Sequence, residues 1–125
     1  MAASRILIID DDPTFRTVLR DYFQEHGLEV FEAGDAATGL QLAAEAKPDI
    51  VVSDITMPGF GSGLDALKCL RDSPATRSLP VIILSGSIGG PKLNTLAEPG
   101  RTWVLRKPPD WAELIKTVKS AIGVR

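Results

Sequence analysis

Five side chains that could share one piece of chemistry each close or follow an apolar run. Asp10 and Asp11 follow Ile6 to Ile9, Asp54 follows DIVVS (49–53), Ser85 follows PVIIL (80–84), and Lys107 follows TWVLR (102–106). Three carboxylates drawn to one place repel one another unless a cation neutralises them or one stays protonated. Mg²⁺ answers that need, because it takes oxygen ligands, usually one or two carboxylates completed by water and a phosphate. With the charge balanced, one carboxylate can attack phosphorus. A lysine is a mobile point charge for a phosphoryl oxygen, and a serine hydroxyl can donate to another. Such a set suits phosphoryl transfer by positioning and charge neutralisation.

These groups meet only if the intervening chain brings them together. Leu7 to Ile9, with Ile6 in the same run, reads as a buried strand. Asp12-Pro13 then starts a helix, since Asp caps free N–H groups and Pro suits the first helical position. Phe15, Val18, Leu19, Tyr22 and Phe23 recur at three and four residues, one face of that helix. His26-Gly27 ends it. The pattern repeats: strand 28–32, helix from the Asp35 cap through Ala46, a Lys47-Pro48 break, and strand 49–53. A helix over 63–71 follows, with Ser62 and Asp65 spaced as a capping box. Strand 80–84, strand 102–106 and a last helix carrying Trp111, Leu114, Ile115, Val118 and Ile122 complete the chain.

Strands nearly continuous in Val, Ile and Leu are buried on both faces, as parallel strands are. Five strand–helix units imply an α/β fold, a doubly wound five-stranded parallel sheet with helices on both faces. Ligands of open α/β sheets bind beyond the carboxyl ends of the strands, and there the five side chains fall. One segment fits badly. Residues 87–100 (SIGGPKLNTLAEPG) should hold the fourth helix, yet carry Gly89, Gly90, Pro91, Pro99 and Gly100. At most 91–97 can be helical, so a short or irregular element is expected.

The totals agree with one domain. The chain has 125 residues, 44% hydrophobic and 24% charged, with formal net charge -2. There is no basic footprint for nucleic acid and no run long enough for a membrane span. A single cysteine, Cys69, can form no internal disulfide and suits a reducing, cytoplasmic setting.

IIDDDP, DITMPG (54–59), PVIILSG (80–86) and LRKPPD (105–110), in that order, give the chain its resemblance to the receiver domain of two-component response regulators, the CheY-like family. The resemblance covers essentially all of 1–125 as one receiver domain, with no output domain seen. It implies a flavodoxin-like strand order 2-1-3-4-5. It implies that Asp54 accepts a phosphoryl group from a sensor histidine kinase or phosphotransfer protein. Asp10 and Asp11 match the pair that holds Mg²⁺, Asp11 directly and Asp10 mainly through water. The Thr56 backbone carbonyl would be a further ligand. Ser85 matches the switch hydroxyl and Lys107 the phosphoryl-binding lysine, with a cis Lys107–Pro108 bond. Thr56 and Ser87 match positions that tune how fast the acyl phosphate hydrolyses. Such a protein is a phosphorylation-dependent switch, not an enzyme proper, acting on an unknown downstream protein target without direct contact to nucleic acid or membrane.

The chain departs from the family pattern in three places. GFGSG (59–63) is one residue longer than the usual turn, the fourth helix is irregular, and Val104 stands where a switch aromatic is usual. Trp103 is adjacent, but strand alternation points it to the other face.

Two other readings compete. IIDDDPT also fits the haloacid-dehalogenase phosphatase motif, with Asp10 as nucleophile, Asp12 as general acid, and Ser85 and Lys107 in support. That reading leaves Asp54 unemployed, and the family needs a further acidic motif that only Asp110 and Glu113, at a helix start, could supply. A receiver fold that binds partners without phosphorylation is the other. Taken singly, Ser85 reads as a turn residue and Lys107 as solvated. His26 reads as a helix-end residue, Cys69, Trp103 and Trp111 as packing residues, and Arg106 as a surface or docking charge.

Overall fold

The computed structural model describes residues 3–54, 63–86, 98 and 100–123, with the backbone alone at 63–66. In chain order these form β1 (Arg5–Ile9), α1 (Pro13–Glu25), β2 (Glu29–Ala33), α2 (Ala36–Glu45), β3 (Ile50–Asp54), α3 (Gly63–Asp72), β4 (Val81–Ser85), β5 (Thr102–Arg106) and α4 (Trp111–Ala121). The longer turn before Gly63, the Ser62–Asp65 capping pair, Thr56, Ser87 and the short element at 91–97 fall outside the described residues.

The strands form one parallel sheet in the order β2-β1-β3-β4-β5, as expected. Alternation along each strand divides the apolar side chains between two cores. Leu7, Ile9, Val51, Val81 and Ile83 pack with Ala36, Ala43, Leu67 and Leu70 of α2 and α3. Ile6, Ile8, Ile50, Val52, Ile82 and Leu84 pack with Leu19, Phe23, Leu114 and Val118 of α1 and α4. A parallel strand buried on both faces needs that near-continuous apolar sequence. Truncating one such side chain to Ala typically costs about 2–5 kcal/mol. Gly39 permits α2 to lie close on β1: a Cβ there would sit 2.5 Å from Ile9 Cδ1.

The helix starts follow local chemistry. Asp12, Asp35 and Asp110 accept backbone N–H bonds from the first turns of α1, α2 and α4, which satisfies donors the helix itself cannot. α1 stops at His26, after which Gly27 takes φ +82°, where a side chain would be strained.

Two expectations need correction. β2, β3 and β4 each begin and end one residue later than the sequence suggests, because ladder pairing continues through Ala33, Asp54 and Ser85. Asp54 and Ser85 are thus the last residues of their strands. Val18 does not join the buried face of α1 but is 45% exposed. The line through Phe15, Leu19 and Phe23 faces the sheet, and Val18 is rotated about 100° from Leu19 around the helix.

Candidate functional site

β1, β3, β4 and β5 all end at the same edge of the sheet. β1 hands over to Asp10, whose N–H donates to the Ala33 carbonyl (3.0 Å) and so extends the β1–β2 ladder by one bond. β5 hands over to Lys107, whose N–H donates to the Ser85 carbonyl (2.9 Å). Backbone pairing on both sides therefore fixes where these side chains begin. The Lys107–Pro108 bond is cis.

Asp10, Asp11 and Asp54 converge, each offering a carboxylate oxygen within 4.8 Å of the others. Their surroundings differ. Asp10 is 1% exposed; its Oδ1 accepts the Asp12 N–H (2.9 Å) and its Oδ2 accepts Lys107 Nζ (2.9 Å). Asp11 is exposed and Asp54 half-buried. Lys107 Nζ also stands 3.5 Å from Asp54 Oδ2. Burial alone would lower the lysine's pKa, but the hydrogen bond and charge of Asp10, then those of Asp54, outweigh it and hold the ammonium above its usual range. Ser85 is buried beside them at the end of β4, one strand from Asp54. Oxygen donors of this hardness and charge fit Mg²⁺.

Asp12 stands apart from this work. Its Oδ1 accepts from Thr14 N–H (2.9 Å) and Phe15 N–H (3.3 Å), a helix cap. That arrangement disfavours the phosphatase reading. The proposed acid is committed to the helix, and the proposed nucleophile, Asp10, is buried with both oxygens engaged. The carboxylate that reading leaves idle, Asp54, is in the cluster.

The departure at strand five has a clear geometry. Val104 packs with the α2/α3 core and Trp103 with the α1/α4 core, so the aromatic of β5 lies on the face opposite Val104.

Two neighbours of the site escape a reading of the sequence. Phe15, read there as core, also places its ring under Lys107, with Nζ 4.5 Å from the centroid. Arg16 donates from Nη1 to the Asp10 carbonyl (2.8 Å) and faces Glu32 from Nε (3.4 Å). Gly34 makes room for it, since a Cβ there would lie 3.2 Å from Arg16 Nη1. A glycine just past β2, opposite an arginine one turn into α1, is a faint signal for that contact. Phe15 carried no signal beyond its apolar spacing.

The family model for the response regulator receiver domain matches residues 6–119. Protein PilH of Pseudomonas aeruginosa is 34% identical over 120 residues, covering 96% of this chain and 98% of PilH. The response regulator PleD of Caulobacter vibrioides is also 34% identical, over 94% of this chain but 26% of PleD. Among solved structures, the receiver domain of the sensor histidine kinase PA1611 from Pseudomonas aeruginosa holds a magnesium ion coordinated in its active-site cleft. It matches with a TM-score of 0.85 and 27% identity, over 98% of this chain and 99% of that one.

Proposed function

The chain belongs to the response regulator receiver domain family, a phosphorylation-dependent signalling switch and not an enzyme proper, and we propose that Asp54 is its phosphoacceptor. The observation that carries this is the Lys107 ammonium set between Asp10 and Asp54 at the carboxyl edge of the sheet.

Each residue then has a task. An Asp54 carboxylate oxygen attacks the phosphorus of a phosphohistidine on a sensor kinase or phosphotransfer protein. The O–P bond forms, the P–N bond breaks, and the electron pair leaves with the imidazole, which takes a proton from water. Lys107 moves its contact from the carboxylate to a phosphoryl oxygen, and the Ser85 hydroxyl donates to another. Asp11 and Asp54 would hold Mg²⁺ directly and Asp10 mainly through water, with the Thr56 carbonyl as a further ligand. The ion supplies neutralisation of the negative charge gathered around phosphorus. Drawing Ser85 and Lys107 toward the phosphoryl group shifts a two-state equilibrium that a downstream protein reads.

We read 1–125 as one receiver domain working in the cytoplasm. No helix among the described residues is long and apolar enough to cross a membrane, and Cys69 is an unpaired thiol.

Intact mass after incubation with acetyl phosphate tests the acceptor. A phosphoryl adduct that requires Mg²⁺ and is absent in Asp54→Asn is the expected result. An adduct that persists in the variant would move the acceptor to another carboxylate.

A further inference from the structure

We propose that Phe15 is a positioning residue for Lys107, its ring face holding the ammonium at the site when a divalent cation occupies the carboxylates. The inference rests on the reading of Lys107 as the phosphoryl-binding lysine.

The physical problem is one of competition. A lysine side chain carries roughly 2 kcal/mol of rotamer entropy and stays in place only while something holds it. Among the described residues, Lys107 Nζ has three such neighbours: Asp10 Oδ2 at 2.9 Å, Asp54 Oδ2 at 3.5 Å and the Phe15 ring at 4.5 Å. The two carboxylates are also the groups a hard cation would engage. Such an ion withdraws their negative charge from the lysine and adds a repulsion of its own. The ring differs, because its attraction comes from the quadrupole of a neutral π face. Mg²⁺ selects oxygen and leaves that face alone. Of the three neighbours, the ring alone keeps its hold undiminished when an ion engages Asp54 directly and Asp10 mainly through water.

The ring is also fixed in place. Phe15 lies in the first turn of α1, where its N–H donates to the Asp12 cap (3.3 Å). Its side chain packs against the core formed by Ile8, Val52 and Leu84 with α1 and α4. Cap and core together hold the aromatic face at the end of β5, so that it can orient a flexible lysine.

A purely structural Phe15 would fill volume, whereas a positioning Phe15 acts through the lysine, and a double-variant comparison separates the two. Phe15→Leu and Phe15→Tyr are made in the wild type and in Lys107→Ala, and phosphoryl uptake from acetyl phosphate is followed by intact mass at saturating Mg²⁺. In the wild-type background Phe15→Leu should slow uptake by about three- to tenfold, while Phe15→Tyr, which keeps a π face, should stay within about twofold. In Lys107→Ala the leucine change should make no difference. A spectroscopic readout needs no variant to fold: in the Mg²⁺-loaded wild type, the Lys107 ε-methylene protons should be shifted upfield by the ring current. An equal loss from Phe15→Leu in both backgrounds, or unshifted ε-methylene protons with Mg²⁺ bound, overturns the inference alone. Unimpaired uptake by Lys107→Ala overturns the phosphoryl-binding reading beneath it, whatever Phe15 does.

Discussion

Lys107 Nζ and Asp10 Oδ2 lie 2.9 Å apart although 97 positions separate them in the chain. Asp10 is buried, and its other oxygen takes the Asp12 N–H. The ammonium is therefore a counter-ion for a carboxylate buried at the sheet edge. Removing it should have two opposed effects. Lys107→Ala should lower the stability of the metal-free protein by about 1–2 kcal/mol, since the lysine is partly exposed and a buried carboxylate loses its partner. The same variant should bind Mg²⁺ about tenfold more tightly, because a competing positive charge is gone. Thermal unfolding with and without Mg²⁺ checks both. A variant less stable at every Mg²⁺ concentration by the same margin would contradict the competition.

Asp11 and Asp12 are adjacent carboxylates in different settings: Asp11 stands in the cluster with Asp10 and Asp54, and Asp12 caps α1. Asp11→Ala should weaken Mg²⁺ binding by at least about tenfold while leaving metal-free stability unchanged or slightly higher, since it relieves repulsion among the three carboxylates. Asp12→Ala should do the reverse. It should cost about 1 kcal/mol through loss of the α1 cap and change Mg²⁺ affinity by less than about twofold. Titrating Mg²⁺ into both variants decides the matter; equal losses of affinity would bring Asp12 into the metal site.

Arg71 is a staple far from the site. From the last turn of α3 its guanidinium donates to the carbonyls of Arg77 (3.0 Å), Leu79 (2.6 Å) and Arg101 (3.1 Å) and to Thr102 Oγ1 (2.8 Å). It faces Glu98 as well, with Nε 3.6 Å from Oε1. It ties the segments entering β4 and β5 to α3. Arg71→Met should lower stability by about 2–3 kcal/mol, because several carbonyls lose a charged donor at once. Arg71→Lys should recover less than half of that, as an ammonium cannot reproduce the planar fork. Denaturant unfolding of the three proteins measures it.

Asp35 sets an acid dependence. Bonds from the Thr38 backbone N–H and then the Thr38 hydroxyl hold its carboxyl below the ordinary value of 3.8. A depressed folded pKa means that the unfolded chain binds the proton more readily. The contribution is therefore complete above the ordinary value and is lost as pH falls through the lower folded one. Asp35→Asn keeps a capping oxygen that does not titrate. The difference in melting temperature between wild type and variant should thus shrink, or turn in the variant's favour, on acidification through that window. A difference independent of pH would refute it.

Phe15 and Asp54 mark the two ends of what is legible in the amino-acid sequence. The parallel sheet is legible because five apolar runs alternate with helical patterns, while its strand order came only through the family resemblance; Asp54 is legible because it closes one of those runs. Phe15 shows only a periodicity that a core residue shares, so its contact with a lysine 92 positions away leaves no local trace. The one-residue offset of β3 and β4 is hidden for a related reason. Apolar content marks where a strand is buried, whereas pairing with Leu84 and Arg106 decides where it ends.

The sequence by itself determined the alternating elements, the Asp12 and Asp35 caps and the gathering of Asp10, Asp11, Asp54, Ser85 and Lys107 at one sheet edge. Each of these follows from short-range rules: side-chain periodicity, unsatisfied N–H groups at helix starts, and the shared direction of parallel strands. Tertiary structure alone decided the surroundings of each member of that group. It buried Asp10 against Lys107, left Asp11 exposed and laid the Phe15 ring under the ammonium. Burial and charge pairing depend on which side chains meet across the fold, and such meetings have no period along the chain.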